Sequence, residues 1–386
     1  MNADEAIRLI RDGDCICVNS FVGIENPMEL HEALYRRYQK MQSPTHLTIV
    51  SSAGFGVWDE EHNAEGYIRE GAVDKLICGH FGAMMSTKKL VLEDRFEAYN
   101  LPLGCISHAI RAQAGGLPGA LSKVGLDIFV DPRREGPGIN RISIDDSLVK
   151  YVEVDGEEFL YYKLPKITIA LIKGTAADRK GNITFDDMYM SGDALSICQA
   201  VKANRGKVIV QVDRLVDAPS RPRNAIIPGC LVDAIVVAEP EERNEAYTAL
   251  TGSFEIPYKE WHTWNEKIHE LSRKQRKNNI PANIIGKRAA RELRVDDIVN
   301  IGIGIPETVS RYARKSGMLD MITLTVESGG IGGFPVSGEA FGAMIGAASV
   351  YDMANQFDLY DNGGLDVCFM GALEVDCHGN INAHRG

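Results

Sequence analysis

Short apolar runs recur along the chain, and each is followed by a turn or by the start of a helix-like stretch. Seven runs have the length and the β-branched content of strands: 15–23, 46–54, 75–82, 126–131, 167–174, 207–216 and 234–239. Nearly continuous apolar runs of this kind indicate strands buried on both faces, as in parallel sheets. Residues 3–13 and 27–40 have the spacing of amphipathic helices. Strands that alternate with helices predict an open α/β fold with mostly parallel sheets.

One stretch, 140–164, follows a different pattern. Its polar and apolar residues alternate, and Asp155 and Gly156 stand between two such runs. An Asp-Gly pair between alternating runs is a strong signal for a tight β-hairpin turn. We therefore predict an antiparallel hairpin at an edge of the sheet.

The chain contains two pairs of similar segments, and internal repeats of this kind indicate how the domains are organised. Residues 8–37 resemble 291–317, and residues 174–185 resemble 371–383. Two pairs of similar segments in the same order predict two related α/β domains. We place the first at 1–240 and the second at 281–386, joined by a polar and charged linker at 241–280.

The second repeat is shorter at its end than the first. Gly-Asn-Ile at 181–183 is followed by a helix-like stretch and two predicted strands, whereas Gly-Asn-Ile at 379–381 is followed by only five residues. By this internal symmetry we expect the second domain to be C-terminally incomplete.

The charge and the apolar content of the chain exclude several classes of function. A formal net charge of −11 argues against nucleic acid as the main partner. The chain contains no apolar stretch long enough to span a membrane. Its charged start, 1–14, lacks the apolar core of a secretory signal, so we expect a cytoplasmic protein.

The cysteines and the paired acidic residues predict neither a disulfide framework nor a metal centre. The eight cysteines are scattered, mostly within apolar runs, and no Cys-x-x-Cys occurs, so we expect buried reduced thiols. Asp186 and Asp187 are adjacent but have no evident third ligand. We therefore predict no bound metal.

A single carboxylate stands out in the segment TVESGGIGGFPVSG, which begins at Thr325. Glu327 follows a predicted strand, and open α/β sheets bind ligands at the carboxyl ends of their strands. Gly329, Gly330, Gly332 and Gly333 would leave backbone N–H groups accessible to a substrate. Such a carboxylate could act as a nucleophile, with the amides stabilising an oxyanion. A glutamate that only caps a turn is the alternative, and the local pattern does not decide between the two.

A second glycine-containing turn, NIGIGIP, also follows a predicted strand. Gly302 and Gly304 would let a ligand approach the backbone, and the helix that follows Pro306 could bind an anion at its N-terminus. Pro306 and Glu307 interrupt the dinucleotide-binding fingerprint. Tight packing between strand and helix is at least as good an explanation of these glycines.

Three other features are interpreted as structural. His80 and His108 follow strand-like runs, and such histidines are more often structural than catalytic. The basic run at 272–277 could contact phosphates, but a solvated linker explains it better.

Four segments together resemble the family I coenzyme A transferases, and the single-chain acetate/propionate branch in particular. They are 123–140, 181–187, the turn at 304–306, and 325–343, whose Glu-Ser-Gly is the most specific part. The resemblance implies that Glu327 is the nucleophile. It also implies a ping-pong transfer of coenzyme A between short-chain acyl-CoA and a free carboxylate, through a glutamyl-CoA thioester. Coenzyme A would then be a substrate, with no tightly bound cofactor, and the protein a homo-oligomer.

The chain departs from the family pattern in two places. Relatives carry a downstream Gly-x-Gly-Gly loop, and this chain ends before it; oxoacid relatives have a glutamine where Leu103 stands. Phe334 and Pro335 would shape an acyl pocket, although a core position explains Phe334 equally well. Two alternatives therefore remain beside the transferase: an acyl-CoA hydrolase of the same fold, and a non-catalytic fragment that binds coenzyme A.

Overall fold

A computed structural model describes residues 1–56, 64–82, 84–145, 147–219, 221–239, 280–302, 304–336 and 340–382. The chain divides into two compact units. Unit 1 comprises Met1–Gly252 with Asp352–Ala354, and unit 2 comprises Ser253–Tyr351 with Asn355–Gly386. The predicted linker, apart from its last residue, and the basic run at 272–277 lie outside the described residues.

Unit 1 is built around a large, mostly parallel sheet. In chain order, its helices and strands are α1 (Ala3–Ala6), β1 (Cys15–Val18), α2 (Met28–Met41), β2 (Leu47–Ser51), α3 (Gly66–Arg69), β3 (Val73–Cys78), α4 (Met85–Leu92), β4 (Glu97–Asn100), α5 (Leu103–Ala114), β5 (Ala120–Ser122), β6 (Val149–Val154), β7 (Glu157–Tyr162), β8 (Ile169–Ala177), β9 (Ile183–Thr184), α6 (Ala194–Ala203), β10 (Lys207–Leu215), β11 (Ala225–Ile227) and β12 (Ala234–Val237). Parallel strands lie in the order β12–β10–β8–β1–β2–β3–β4, while β9 and β11 pair antiparallel beside them. The predicted α/β fold with a mostly parallel sheet is confirmed.

Both faces of this sheet are buried, which explains the near-continuous apolar runs. Along β1, Ile16 and Val18 belong to one hydrophobic cluster, whereas Cys15 and Cys17 belong to another. All nine residues of β8 are buried. Because side chains alternate between the faces of a strand, only a strand covered on both sides hides every residue. Each fully buried Leu or Ile side chain contributes about 1.5–3 kcal/mol.

One of the seven predicted strands is wrong. Residues 126–131 form turns, although Val130 is fully buried. The buried Asp131 carboxylate accepts hydrogen bonds from the backbone N–H groups of Asp127 and Arg133 and from the Arg133 guanidinium. These local bonds satisfy the backbone within a turn, so the segment does not need a neighbouring strand.

The predicted hairpin is present, but it does not extend the parallel sheet. Strands β6 and β7 pair antiparallel, and β7 also pairs with β5, forming a separate three-stranded sheet. Asp155 and Gly156 have φ values of 52° and 81°. Positive φ at both central residues is typical of the type I′ turn that joins twisted strands.

Unit 2 contains a smaller sheet with both parallel and antiparallel strands. From Ile280 onward, the helices and strands are α7 (Ile280–Ala289), β13 (Ile298–Ile301), α8 (Glu307–Lys315), β14 (Thr323–Thr325), β15 (Gly330–Ile331), β16 (Phe334–Pro335), β17 (Met344–Ile345), β18 (Ser349–Val350), α9 (Met353–Asp361), β19 (Val367–Phe369), β20 (Glu374–Val375) and β21 (Ile381–Asn382). The strand order is β18–β15–β14–β13–β19, so β14 is central. Strands β14, β13 and β19 are parallel.

The repeated Gly-Asn-Ile segments fold into turns with the same hydrogen bonds. In unit 1, the Asp178 carboxylate accepts bonds from the Asn182 backbone and side chain, at 2.9 and 2.7 Å. In unit 2, Asp376 accepts the equivalent bonds from Asn380, at 2.8 and 2.7 Å. The likeness of these two segments is therefore structural as well as sequential, which supports the prediction of two related domains.

The expectation that the cysteines are buried holds for five of the eight. Cys15, Cys17, Cys78, Cys105 and Cys198 are buried, whereas Cys230, Cys368 and Cys377 are exposed free thiols. The strand that contains Cys368, β19, is only partly buried. None of the described helices combines the length and the apolar character that a membrane span requires.

Candidate active site

Glu327 lies at the tip of the hairpin that joins the central strand β14 to β15. The Gly329 N–H donates to the Val326 carbonyl at 3.1 Å, and the Val326 N–H donates to the Gly330 carbonyl at 2.9 Å. These two bonds reverse the chain within a few residues and hold Glu327 at the carboxyl end of β14. This is the place in an open α/β sheet at which the sequence pattern predicted it.

The Glu327 carboxylate is only partly satisfied by the protein. Its Oε2 atom is inaccessible to solvent and makes no hydrogen bond with the described residues. Burial raises the pKa of Glu327, while hydrogen bonds from its own backbone N–H and from the Asn300 side chain act in the opposite direction. A carboxylate that is short of solvation and of hydrogen-bond donors is a better nucleophile than one in water, and perturbed groups of this kind concentrate at functional sites.

A hydrogen-bonded cluster surrounds this carboxylate. The Tyr360 hydroxyl, on α9, donates to Thr325 Oγ1 at 2.9 Å, and Thr325 Oγ1 donates to the Val299 carbonyl at 3.2 Å. Asn300 Nδ2 lies 3.4 Å from the Tyr360 hydroxyl oxygen. Burial, with the nearby charge of Glu327, raises the pKa of Tyr360, so this phenol stays protonated at neutral pH. The cluster therefore joins β13, β14 and α9 around Glu327.

Cys368 extends the cluster to β19, on the other side of β13. Its Sγ donates to Asn300 Oδ1 at 3.4 Å, which fixes the orientation of the Asn300 amide with Nδ2 towards Tyr360. Although Cys368 as a residue is exposed, partial burial of its sulfur, with the charge of Glu327, raises the pKa of Cys368 to about 11. A thiol with this pKa is protonated at neutral pH and is therefore a poor nucleophile beside Glu327.

The Asn300 amide favours the charged form of Glu327, which gives a pH-dependent prediction. We expect Asn300→Leu to raise the pKa of Glu327 further, because a group that stabilises the carboxylate is removed while its burial remains. If the carboxylate is the reactive form, the acidic limb of the kcat/KM profile should move to higher pH. Steady-state rates across pH measure this, and a thermal unfolding curve at each pH excludes loss of fold. An unshifted limb would contradict the assigned role of Asn300.

The glycines after Glu327 are mostly used within the hairpin and its neighbours. The N–H of Gly332 donates to the Leu324 carbonyl at 2.8 Å, and that of Gly333 donates to Met344 Sδ at 3.1 Å. Gly330 lies in β15 opposite Val350 of β18. The N–H groups of Gly329, Gly332 and Gly333 are thus engaged inside the protein, which differs from the expectation that these amides face a substrate.

The two glycines of the NIGIGIP turn have different environments. Gly302 donates its N–H to the Phe369 carbonyl at 2.8 Å, so it continues the strand pairing of β13 with β19. Gly304 has a φ of +93°, and a Cβ added there would meet no atom within 4 Å. Its N–H donates to Glu307 Oε1 at 2.9 Å, so the side chain of Glu307 already supplies an anion at the start of α8. Of the two glycines in this turn, Gly304 is therefore the one with open space beside its backbone.

Phe334 and Pro335, which the sequence suggested for an acyl pocket, form the short strand β16. Both are half-buried, and β16 pairs with β17. The guanidinium carbon of Arg314, on α8, lies 5.0 Å from the centre of the Phe334 ring. A cation over an aromatic face stabilises the packing, which supports a structural contribution from Phe334.

The candidate histidines of unit 1 have structural contacts. The His80 ring lies beside Gly82, where an added Cβ would lie 2.7 Å from a ring carbon. His108 Nε2 lies 3.1 Å from the Ala354 carbonyl oxygen. Leu103 packs beside Gly79, where an added Cβ would lie 3.1 Å from its Cα. These contacts favour the structural interpretation.

Asp186 and Asp187 do not converge on a shared site. Asn224 Nδ2 donates to Asp186 at 2.5 Å, whereas the Arg214 guanidinium donates to Asp187 at 2.5 Å. Within the described residues, no three His, Cys, Asp or Glu side chains come together in a way that could hold a metal ion.

Sequence patterns missed most of the cluster around Glu327. Asn300 is a polar residue near the carboxyl end of a strand, as Glu327 is, so the same sequence pattern could have identified it. Thr325 lies inside an apolar strand, and its buried side chain carries no such mark. Tyr360 lies 35 residues from Thr325 along the chain, so no local pattern indicates the hydrogen bond between them.

Comparisons with known proteins agree on one family. The family model for coenzyme A transferases matches residues 1–238. The acetate CoA-transferase YdiF of Escherichia coli K12 is 37% identical over 390 residues, which cover 100% of this chain and 71% of the relative. The caffeate CoA-transferase of Acetobacterium woodii is 35% identical over 397 residues, which cover 100% of this chain and 72% of the relative.

Solved structures of a similar protein have the same fold. The apoenzyme of the acyl-CoA transferase YdiF from E. coli O157:H7 matches with a TM-score of 0.86 at 34% identity, covering 100% of this chain and 71% of that one. A thioester complex of the same E. coli protein with CoA matches with a TM-score of 0.85.

Proposed function

Because the chain belongs to the coenzyme A transferase family and is an enzyme that transfers coenzyme A, we propose that Glu327 is the nucleophile through which it does so. The observation that carries this assignment is the carboxylate itself. Glu327 ends the central strand of unit 2, and its buried Oε2 lacks a hydrogen-bond partner among the described residues. A carboxylate kept in this state has the reactivity that attack on a thioester requires.

In the first half-reaction, a Glu327 oxygen attacks the acyl thioester carbon, and the electron pair of the carbonyl moves to its oxygen. Collapse of this intermediate breaks the carbon–sulfur bond and releases the coenzyme A thiolate, which leaves an acyl-glutamyl anhydride. The thiolate then attacks the Glu327 carbonyl carbon and expels the first acid as its carboxylate, giving a glutamyl thioester. An incoming carboxylate reverses both steps. One thioester is exchanged for another, so the overall transfer is close to isoenergetic.

The cluster around Glu327 can position the carboxylate for these reaction steps. The carboxylate must lose its own solvation before it attacks, and burial has already removed much of it. The hydrogen bond from the Asn300 amide opposes the effect of burial on the pKa of Glu327, and we propose that it also orients the carboxylate. Attack by a carboxylate on a thioester is intrinsically slow, so binding energy from the rest of coenzyme A contributes to lowering the barrier.

The glycines take two roles in this proposal. Gly304, with open space around its backbone, lines the approach of the coenzyme A arm, and Gly302 sets the strand end from which that turn leaves. Gly329, Gly330, Gly332 and Gly333 shape the hairpin that holds Glu327 in place. The N–H groups of Gly329, Gly332 and Gly333 donate within the protein, and the carbonyls of Gly329 and Gly330 accept bonds there. We therefore assign these glycines the role of positioning Glu327 rather than of binding the substrate.

We propose short-chain acyl-CoA thioesters and short-chain carboxylates as the substrates. Support comes from the similarity to an acetate CoA-transferase over the whole chain, together with the resemblance of residues 325–343 to the acetate/propionate branch. We also propose a homo-oligomer that works without a tightly bound cofactor. Sedimentation of the purified protein, and its absorbance and metal content, test these two points.

The test of the nucleophile is a chemical trap. The protein, expressed from its complete reading frame, is incubated with acetyl-CoA, treated with borohydride and digested. Reduction of a glutamyl thioester converts the side-chain carboxyl to an alcohol, so the mass of the peptide containing Glu327 should fall accordingly. An unmodified peptide after demonstrated transfer of coenzyme A would refute the assignment.

Turnover with and without an acceptor acid separates a transferase from a hydrolase. We expect consumption of acetyl-CoA to require propionate and to give propionyl-CoA, with parallel double-reciprocal plots that are typical of ping-pong kinetics. Release of free coenzyme A at the same rate without propionate would instead establish hydrolysis, because water would then resolve the intermediate.

A further inference from the structure

Three polar residues lie side by side across the parallel strands of unit 2. The strand register pairs Asn300 of β13 with Thr325 of β14 on one side and with Cys368 of β19 on the other. Tyr360 of α9 contacts this row, because its hydroxyl oxygen lies 2.9 Å from Thr325 Oγ1 and 3.4 Å from Asn300 Nδ2. Glu327 follows Thr325 by two residues. The row therefore adjoins the strand end that carries Glu327.

The hydrogen bonds of this row run in one direction, which a backbone carbonyl determines. The Val299 carbonyl can only accept, so the Thr325 hydroxyl donates to it, at 3.2 Å. Because Thr325 Oγ1 has then used its proton, it accepts from the Tyr360 hydroxyl. The Tyr360 oxygen has in turn used its proton and accepts from Asn300, which requires Nδ2 rather than Oδ1 on that side. The Tyr360 hydroxyl thereby selects one orientation of the Asn300 amide.

The residue on the other side of Asn300 requires the same orientation. Cys368 Sγ donates to Asn300 Oδ1 at 3.4 Å. A reversed amide would present Nδ2 to the thiol and Oδ1 to the Tyr360 oxygen, so both bonds would be lost. The hydrogen-bond network, which is the basis on which an amide is assigned, therefore gives one answer from two directions.

The orientation of this amide matters for Glu327, because only one end of an amide stabilises a carboxylate. A hydrogen bond from the Asn300 side chain favours the charged form of Glu327 and acts on its pKa against the effect of burial. Nδ2 alone can donate that bond, and its two hydrogens allow it to serve Tyr360 and the carboxylate together. Tyr360 and Cys368 sense the charge of Glu327, but burial raises the pKa of both, so both are neutral at neutral pH.

We propose that Tyr360 is a positioning residue for coenzyme A transfer, which holds the Asn300 amide with its NH₂ group turned towards the Glu327 carboxylate. In this role Tyr360 transfers no proton and does not touch the reacting bond, since it acts through Asn300. Hydrogen bonds that are linked in a chain strengthen one another, so loss of one hydroxyl affects the amide at its end. The inference rests on the proposed role of Glu327 as the nucleophile and adds to it the group that orients its partner.

The variant Tyr360→Phe tests this role, because it removes the hydroxyl and keeps the ring. Without the hydroxyl the Asn300 amide turns more freely, so the carboxylate loses part of its stabilisation and stays protonated to higher pH. One hydrogen bond of ordinary strength corresponds to about 2–10-fold in an equilibrium constant, or about 0.4–1 pH unit. We expect the acidic limb of the kcat/KM profile to move up by this amount. The rate of Glu327 labelling in the borohydride trap should show the same shift.

A double-variant cycle shows whether Tyr360 acts through Asn300. With Asn300→Leu in place there is no amide to orient, so the addition of Tyr360→Phe should give no further shift of the acidic limb. Equal shifts with and without the Asn300 amide would overturn the inference, because Tyr360 would then act on Glu327 by another route. Thr325→Val is a second test in case Tyr360→Phe folds poorly. It removes the acceptor of the Tyr360 proton and should move the limb in the same direction.

Tyr351→Phe is the matched control, because it removes the same hydroxyl from an exposed side chain in the same unit. It should leave the acidic limb in place and keep kcat within about twofold of the unmodified enzyme, as surface substitutions usually do. A rate loss in Tyr360→Phe that is equal at every pH and accompanies a lower thermal midpoint would indicate a structural hydroxyl and would overturn the inference.

The outcomes of the trap distinguish the two proposals. Failure to label Glu327 in the unmodified enzyme, after demonstrated transfer of coenzyme A, would refute Glu327 as the nucleophile and the assigned role of Tyr360 with it. Labelling of Glu327 in Tyr360→Phe with an unshifted pH profile would refute only the role of Tyr360. A shifted profile that disappears in the Asn300→Leu background would support both.

Discussion

Replacing Glu327 with glutamine is expected to lower kcat for coenzyme A transfer by at least about 10³-fold, because an amide cannot form the acyl anhydride or the glutamyl thioester. The replacement keeps the size of the side chain and removes only the nucleophilic oxygen. Binding of acyl-CoA should be weakened far less than turnover. Initial rates of propionyl-CoA formation and equilibrium binding of acetyl-CoA measure the two effects separately.

A matched variant controls for the loss of a carboxylate as such. Glu374 is exposed on β20 in the same unit, where it accepts a hydrogen bond from Asn382, and Glu374→Gln makes the same chemical change there. It should leave kcat within about twofold, as surface substitutions usually do. Comparable losses in the two variants, or near-normal turnover of Glu327→Gln, would show that Glu327 is not the nucleophile.

The same substitution should have a pH-dependent effect on stability. Burial raises the pKa of Glu327 in the folded protein above its value in the unfolded chain. The folded state therefore binds more protons, and the penalty for the buried charge is fully present only above the folded-state pKa. Glu327→Gln should be more stable than the unmodified protein at pH 8, and this advantage should shrink as the pH falls through that pKa and disappear below the ordinary carboxyl pKa. Denaturant unfolding at several pH values measures the difference.

The second large effect is expected at Gly329, which turns the chain after Glu327. Its φ is +117°, and a Cβ added there would lie 2.0 Å from the Tyr351 carbonyl oxygen. The Tyr351 N–H also donates to the Gly329 carbonyl at 2.9 Å, so neither strand can move away without breaking a bond. We expect Gly329→Ala to reduce the free energy of unfolding of unit 2 by at least about 2 kcal/mol, from strain and the backbone clash together.

Gly304→Ala is the matched comparison, because Gly304 also has positive φ but has no atom within 4 Å of an added Cβ. Only conformational strain should remain, with a cost of roughly 1–2 kcal/mol. If the coenzyme A arm passes Gly304, the Gly304→Ala variant should also have a higher KM for acyl-CoA than the unmodified enzyme. Denaturant unfolding and saturation kinetics on both variants check the pair. Equal destabilisation by the two substitutions would contradict the packing difference between the sites.

The strands of the large sheet could be predicted because burial on both faces leaves a direct mark on the sequence. A strand such as β8, buried along its whole length, has to be apolar almost throughout. The same signal failed at 126–131, where Val130 is buried but Asp131 and Arg133 close a turn through their own hydrogen bonds. Apolar content reports burial, and it does not report where the backbone finds its hydrogen bonds.

Some residues of the candidate site could likewise be identified from the sequence, and others could not. One local segment singled out Glu327 as a candidate, because a carboxylate at the end of a strand and before a glycine-rich turn is a short-range pattern. The choice between a nucleophile and a turn cap came from the family resemblance of residues 325–343. The role of its glycines was not identifiable, since hydrogen bonds to Leu324 and Met344 decide whether an N–H faces a substrate or the protein. Asn300 and Tyr360 each lie tens of residues from Glu327 along the chain, and only strand pairing and helix packing bring them into its neighbourhood.

The sequence by itself thus determined the α/β fold, the repeat of its segments, the resemblance to the family and the place of Glu327 as the proposed nucleophile, because each depends on residue types that are close together along the chain. Tertiary structure alone decided which groups surround that carboxylate, the burial that raises its pKa, and which glycine N–H groups are engaged within the protein. Those properties depend on distances between residues from separate strands and helices, and on the exclusion of water that packing produces.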